Sequence, residues 1–363
     1  MREHWLEFVA ALKSIFSWRL SPGRAREVSF STLPVIVSVI IMTFLTNANY
    51  AAYGLLGSLS VLSGWHALKV RRYWLYFLVA AGVMVGQLLG FGISHMPLVF
   101  APLLVVWTYL VIFTWHALDI GAPGPLNTLF VVPFNAFMID HGYSTRMLME
   151  ANLSSIVVGA GVLFLFWSLA WLGGCKFIGF TAHQQNVRIV AIKRQFEVAL
   201  APGSDARFTA LRVTVGTIFA ILLGYVIFPL DKPYWIILSV LSVIHLNKPQ
   251  GEFMYRAVHR SLGTVIGALL YWWIMNQGWP MVTVLVVQCL GIWSLEYFGP
   301  HNYTLSTIGL TVFVLIMTPI PDMSQMNPLI VSRVVDTFVG VGLAILAAWL
   351  VYWRELHHKY DIY

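Results

Sequence analysis

Residues Lys232 to Leu270 read KPYWIILSVLSVIHLNKPQGEFMYRAVHRSLGTVIGALL. One apolar run ends in a short basic loop carrying Lys248, Arg256 and Arg260, and a second apolar run opens at His-Arg-Ser-Leu-Gly. Two uncharged stretches joined by a cationic turn are the pattern of helices that enter and leave a bilayer from its cytoplasmic side. A weaker echo lies near residues 54 to 90, where Ser60-Val61-Leu62-Ser63 followed by His66 repeats Ser239-Val240-Leu241-Ser242 followed by His245. The rest of the chain hangs on that duplication.

The composition widens the reading to the whole protein. Of 363 residues, 59% are hydrophobic and 10% charged, against about 25% charged in a soluble domain; the mean hydropathy is +0.77. An all-α integral membrane protein of about twelve transmembrane helices follows, arranged as two six-helix repeats. Apolar spans are expected near 28–46, 51–68, 73–93, 97–115, 120–139 and 147–172, then 208–228, 233–246, 257–275, 279–296, 301–319 and 328–353. Residues 1–26 read as an interfacial amphipathic helix, 27–172 as the first repeat, 173–206 as a cytoplasmic linker with one helix from Gln184 to Leu200, 207–354 as the second repeat and 355–363 as a tail. No cleavable signal pattern opens the chain, and Cys175 and Cys289 imply no disulfide framework.

Placing the N-terminus in the cytoplasm puts every one of the 22 basic residues except Arg146, Lys232 and Arg333 on or toward that side. Both termini are therefore expected inside, and the net +7 is orientation charge that calls for no nucleic acid. The halves agree late in their course too. Gly124-Pro125-Leu126-Asn127-Thr128 opens the fifth span and Gly299-Pro300-His301-Asn302-Tyr303-Thr304 the eleventh. An even number of spans makes the repeats parallel, and solutes commonly bind where repeats meet.

A few polar residues inside these spans carry the chemistry. Arg333 and Asp336 share a helix face at i,i+3, and an ionisable group at that depth needs a partner or a watery cavity. Either they neutralise each other and fix packing, or Arg333 offers its fork to a carboxylate while Asp336 exchanges a proton; the second use requires an aqueous route to Arg333. Arg212 and Arg260, at inner helix ends, either snorkel to headgroups or gather anions from the cytoplasm. His66, His116 and His245 end spans on the cytoplasmic side and His301 lies in a loop; they are interfacial residues or a protonatable vestibule, with His66 and His245 the coupling candidates. Their spacing gives no metal-ligand pair. Asn127, Asn135, Asn302 and Gln87 bond between helices or line a cavity, with Asn127 and Asn302 the candidates for solute contact, and Pro133 could interrupt the fifth span. Gly82, Gly86 and Gly90, and Gly263 and Gly267, are spaced for close helix packing or for a solute path. No P-loop, dinucleotide fingerprint or nucleophile elbow is present, so neither a catalytic residue nor a cofactor is expected.

The second half resembles the fusaric acid resistance-like (FUSC) proteins of the aromatic acid exporter group. The features that carry the resemblance are Arg212, Tyr234-Trp235, Arg260-Ser261-Leu262-Gly263-Thr264-Val265-Ile266-Gly267 and Arg333-Val334-Val335-Asp336-Thr337-Phe338-Val339-Gly340, within residues 207 to 354. The first half departs, with Asn152, Ser155 and Gly159 opposite Arg333, Asp336 and Gly340, and an apolar residue near Val79 opposite Arg260. The resemblance implies a multi-pass transporter of the bacterial inner membrane, exporting aromatic or other organic carboxylic acids by proton coupling, with the first repeat chiefly scaffold. A distant similarity to plant aluminium-activated malate channels implies a passive anion channel as the alternative, and a non-transporting scaffold is a third reading. The expected partners are a small organic anion and the lipid bilayer; a second copy of the chain and a periplasmic adaptor subunit stay open, and nucleic acid is excluded.

Overall fold

The computed structural model describes residues 22–46, 50, 53–69, 74–118, 124–172, 192–227, 234–244, 251–299, 302–317 and 326–360, and no strand occurs among them. In chain order the helices are α1 Pro22–Leu45, α2 Leu55–Lys69, α3 Trp74–His95, α4 Pro97–Ala117, α5 Gly124–Asp140, α6 Thr145–Leu172, α7 Ile192–Leu200 and α8 Asp205–Ile221. They continue as α9 Tyr234–Ile244, α10 Gly251–Asn276, α11 Met281–Phe298, α12 Tyr303–Met317 and α13 Met326–Tyr360. Each expected apolar stretch coincides with one of these helices. Lipid offers no hydrogen bonds, so an uncharged stretch must pair its backbone within itself.

Among the described residues, five helices are long and apolar enough to cross a membrane by length and composition: Trp74–His95, Pro97–Ala117, Thr145–Leu169, Asp205–Gly224 and Met326–Val351. Helix surfaces are inverted relative to a soluble bundle. Leu262, Ile266, Leu269 and Trp273 of α10 form an exposed apolar stripe at helical spacing, as do Val331, Val335 and Phe338 of α13. Thr264, Thr307, Thr311 and Thr337 are buried instead. Large side chains outside and hydroxyls inside are what a hydrocarbon solvent selects.

The chain divides into two compact units, Ser29–Thr214 and Val215–Tyr363 together with Met1–Val28. Within the first unit α2 packs on α6 and α3 on α5; within the second α9 packs on α13 and α10 on α12. Glycine makes both kinds of contact. A Cβ on Gly86 of α3 would stand 2.3 Å from Val131 Cγ1, and one on Gly263 of α10 would stand 2.6 Å from Thr307 Cβ and 2.8 Å from the Thr304 carbonyl. Those glycines are spent on helix contact, which leaves them no part in a solute path.

Several details depart from expectation. The interfacial helix of residues 1–20, His245, His301 and the linker before Ile192 lie outside the described residues. The described part of the linker is the helix Ile192–Leu200, where Phe196 meets Phe113 of α4. Pro133 does not interrupt its span: α5 runs unbroken from Gly124 to Asp140 with the proline inside. Leu222–Ile227 continues α8 with the wider turn of a π-helix, which nothing in the residue pattern announces. α10 begins at Gly251 rather than near residue 257. The extra turns place Arg260 about 14 Å from the start of its helix instead of at its end.

Candidate functional site

The second unit assembles its charged residues from three helix contacts. α13 reaches α9 where Gly340 has no side chain; a Cβ there would lie 2.6 Å from the Ile236 carbonyl and from Ser239 Cβ. Ser239 Oγ donates to the Trp235 carbonyl at 2.9 Å and lies 3.4 Å from Thr337 Oγ1, which itself donates to the Arg333 carbonyl at 2.8 Å. Two turns before Gly340, Arg333 is thus laid on the first turn of α9, its Cζ 4.4 Å from the centroid of the buried Trp235 ring. An aromatic face attracts a guanidinium by its quadrupole, but it satisfies none of the N–H donors.

α10 reaches α12 through Gly263 and Gly267, and that approach fixes Arg260 and Tyr303. Asn302 caps α12: its side-chain oxygen accepts from Leu305 N at 3.2 Å. His259 of α10, fully buried and stacked on Tyr255 with centroids 3.9 Å apart, accepts at Nδ1 from Thr304 N at 3.1 Å and lies 2.7 Å from Thr304 Oγ1. An Nδ1 that accepts from a backbone N–H leaves the ring proton on Nε2. The first turn of α12 is therefore held from within and from α10, so Tyr303 has a fixed position. Its hydroxyl donates to the Ser242 carbonyl at 3.1 Å and bonds Arg260. Arg256, one turn before Arg260, sets its Cζ 4.6 Å from the Tyr303 centroid and reaches the Ser242 carbonyl at 3.4 Å.

The result is an excess of buried positive charge. Arg333 is 0% and Arg260 1% exposed, and Arg260 and Asp336 are the ionic groups that act on Arg333. Nε, Nη1 and Nη2 of Arg333, and Nε and Nη1 of Arg260, have no hydrogen-bond partner among the described residues. Asp336 accepts instead from Ser332 Oγ at 3.2 Å. No hydrogen bond joins Arg333 to Asp336, whose carboxylate acts on it through charge alone. Unmet donors on a desolvated guanidinium cost several kcal/mol, and an oxyanion is the ligand that satisfies them, through charge-assisted and bidentate bonds.

The other candidates fall elsewhere. Arg260 does not snorkel to headgroups; it sits inside protein beside Arg333. Full burial of Arg333 means this conformation gives it no open aqueous route. Arg212 and Asn127 belong to the first unit, where Arg212 is half-buried and Asn127 donates to the Leu56 carbonyl at 3.2 Å. Asn302 is occupied as the α12 cap. His66 lies on α2 with its side chain outside the described residues, and His116 turns Nδ1 to the Ile112 carbonyl of its own helix at 2.8 Å. Opposite Arg333, Asn152 of α6 is fully buried and bonded: it accepts from Gly57 N at 2.9 Å and donates to the Tyr53 and Leu148 carbonyls at 3.2 and 3.1 Å. Residue patterns did not single out Trp235, Tyr303 or His259 as site residues; the available signal was a Tyr-Trp helix start and a histidine abutting Arg260.

The stretch that holds all these contacts begins near the end of α8 and closes in α13. Residues 219–347 match the fusaric acid resistance protein-like family. The match covers about a third of the chain. The uncharacterized membrane protein YvaC of Bacillus subtilis (strain 168) is 30% identical over 146 residues, which are 39% of this chain and 21% of that protein. The chain thus spans about a fifth of the curated relative it matches. No solved structure matches it. The fusaric acid resistance-like part contains Trp235, Arg256, Arg260, Tyr303, Arg333 and Asp336, whereas Arg212 and Asn127 lie before it.

Proposed function

We propose that this protein is a twelve-span secondary transporter of the bacterial inner membrane that exports aromatic or other organic carboxylic acids by proton coupling. One observation carries the reading: among the described residues, the two buried guanidiniums of Arg260 and Arg333 have five nitrogens without hydrogen-bond partners, and Asp336 is the carboxylate that acts on Arg333. The matching internal pairings of the two units support parallel repeats, and the distribution of basic residues supports both termini in the cytoplasm.

The steps follow from charge and burial. A carboxylate moving outward exchanges water for the Arg260 and Arg333 forks, and charge-assisted bonds to it offset the Trp235 face that Arg333 gives up. The anion brings the two guanidiniums and two carboxylates to neutrality, and by competing with Asp336 for the same positive field it frees that carboxylate to take up the coupling proton. The fully covered Arg333 suits an occluded carrier conformation, opened to each side in turn, better than a continuous pore. The channel alternative rests on sequence resemblance alone.

Uptake of labelled benzoate into inverted membrane vesicles under a pH gradient tests the reading. Arg333→Gln and Asp336→Asn are expected to abolish gradient-driven flux. Full flux in either variant overturns the assignment, and unitary currents in planar bilayers would move it to a channel.

A further inference from the structure

The half-buried Arg256 has no role in the steps above, yet it is built into the same cluster. Arg256 and Arg260 are spaced i,i+4, so their guanidiniums leave one face of α10 about one turn apart, an arrangement that is repulsive unless something negative joins it. Between them stands Tyr303: the Arg256 guanidinium covers its ring at 4.6 Å and Arg260 bonds its hydroxyl. The remaining polar contact of Arg256 is the 3.4 Å bond to the Ser242 carbonyl, an acceptor that Tyr303 already uses at 3.1 Å. Capping the last turn of α9 accounts for that one N–H. Among the described residues no other group takes the rest of the five-donor Arg256 fork, and the buried Arg260 one turn away has Nε and Nη1 without partners there too.

We infer that Arg256, Tyr303 and Arg260 form a second, inner carboxylate subsite, which takes an aromatic monocarboxylate before it reaches Arg333. The inference rests on the transport reading and adds a residue and a stage to it. The carboxylate bridges the two guanidiniums and so removes their repulsion. The ring of the acid takes the place of the guanidinium against the Tyr303 face, where aromatic stacking favours a planar acid over an aliphatic one. His259, bonded to Thr304, keeps the first turn of α12 and hence Tyr303 in register. Handing the anion from Arg260 to Arg333 then needs no exposure to lipid. A phosphate headgroup would meet the same two guanidiniums, so the test includes lipid charge.

Equilibrium dialysis of labelled benzoate against the full chain in zwitterionic-lipid nanodiscs reads the sites without requiring flux. Two benzoates per chain are expected in the wild type and one in Arg256→Gln. Arg333→Gln should keep the inner one. In vesicle transport, Arg256→Gln should raise KM at the cytoplasmic face about tenfold, the weight of one charge-assisted hydrogen bond, with kcat within about twofold. Tyr303→Phe, which keeps the ring but frees Arg260, should retain preference for benzoate over cyclohexanecarboxylate. One benzoate in the wild type, bound equally well by Arg256→Gln, overturns the inner subsite while leaving the transport reading intact. Loss of the Arg256-dependent binding on adding anionic lipid also overturns it, since the fork would then serve headgroups. Normal transport by Arg333→Gln sinks the transport reading itself.

Discussion

Arg333→Met should make the ligand-free protein more stable and at the same time less stabilised by organic acids. The guanidinium is wholly buried and three of its nitrogens lack partners among the described residues. An unmet buried donor costs about 1–3 kcal/mol, so three cost roughly 3–9 kcal/mol. The face of Trp235 returns about 2 kcal/mol in a desolvated setting. Taking away the cation also strips Asp336 of its charge partner, a further loss of a few kcal/mol. With the donor cost in the upper part of that range, methionine, similar in length and without donors, should come out ahead by up to about 4 kcal/mol. Thermal unfolding in detergent, followed by tryptophan fluorescence, reads the difference directly. Benzoate at a hundredfold excess over the Kd of the Arg333 site should add about 2.7 kcal/mol more to the wild type than to the variant, which keeps only the inner subsite. A variant that melts several degrees below the wild type, or that benzoate stabilises as much as the wild type, would show that Arg333 is a packing element and refute the reasoning.

Asp336→Asn should bind benzoate within a few-fold of the wild type yet lose the pH dependence of its flux; dialysis and vesicle uptake at two pH values separate the two effects. Gly263→Ala should destabilise by about 1–3 kcal/mol as an overpacked contact, because its Cβ would meet Thr307 Cβ at 2.6 Å and the Thr304 carbonyl at 2.8 Å. Gly342→Ala, where nothing lies within 4 Å, should instead gain up to about 1 kcal/mol of helix propensity, and paired melting curves compare them. Asn152→Ala should lower stability by about 1–3 kcal/mol, because it strips bonds from Gly57 N and the Tyr53 carbonyl. It should leave the KM for benzoate unchanged, as a scaffold residue of the first unit would.

Much of this architecture is written in the chain. Stretches such as 74–95 and 97–117 declare themselves because lipid forces any long uncharged segment into a helix, and the glycine spacings announce which helices approach closely. Arg333, Asp336 and Arg260 could be singled out because charge within an apolar run is costly wherever the run ends up. The partners of those charges were not legible. Whether Arg333 pairs with Asp336 or lies on Trp235 depends on how α13 meets α9, a contact set by Gly340 some two turns away. Whether Arg260 sits at a helix end or inside depends on nearly two extra turns of α10, whose Glu252, Tyr255 and Arg256 read as loop. Pro133 looked like a break, yet a proline removes only one backbone bond and the helix passes through it. Asn152 looked like a lost arginine; its three bonds show a position rebuilt for packing.

A map of the protein with 4-bromobenzoate bound tests the central claim most directly. The carboxylate should lie within hydrogen-bonding distance of Arg333 and Arg260, with the Arg333 guanidinium drawn off the Trp235 ring. Ligand density found only away from both arginines, with Arg333 still flat on Trp235, would contradict it.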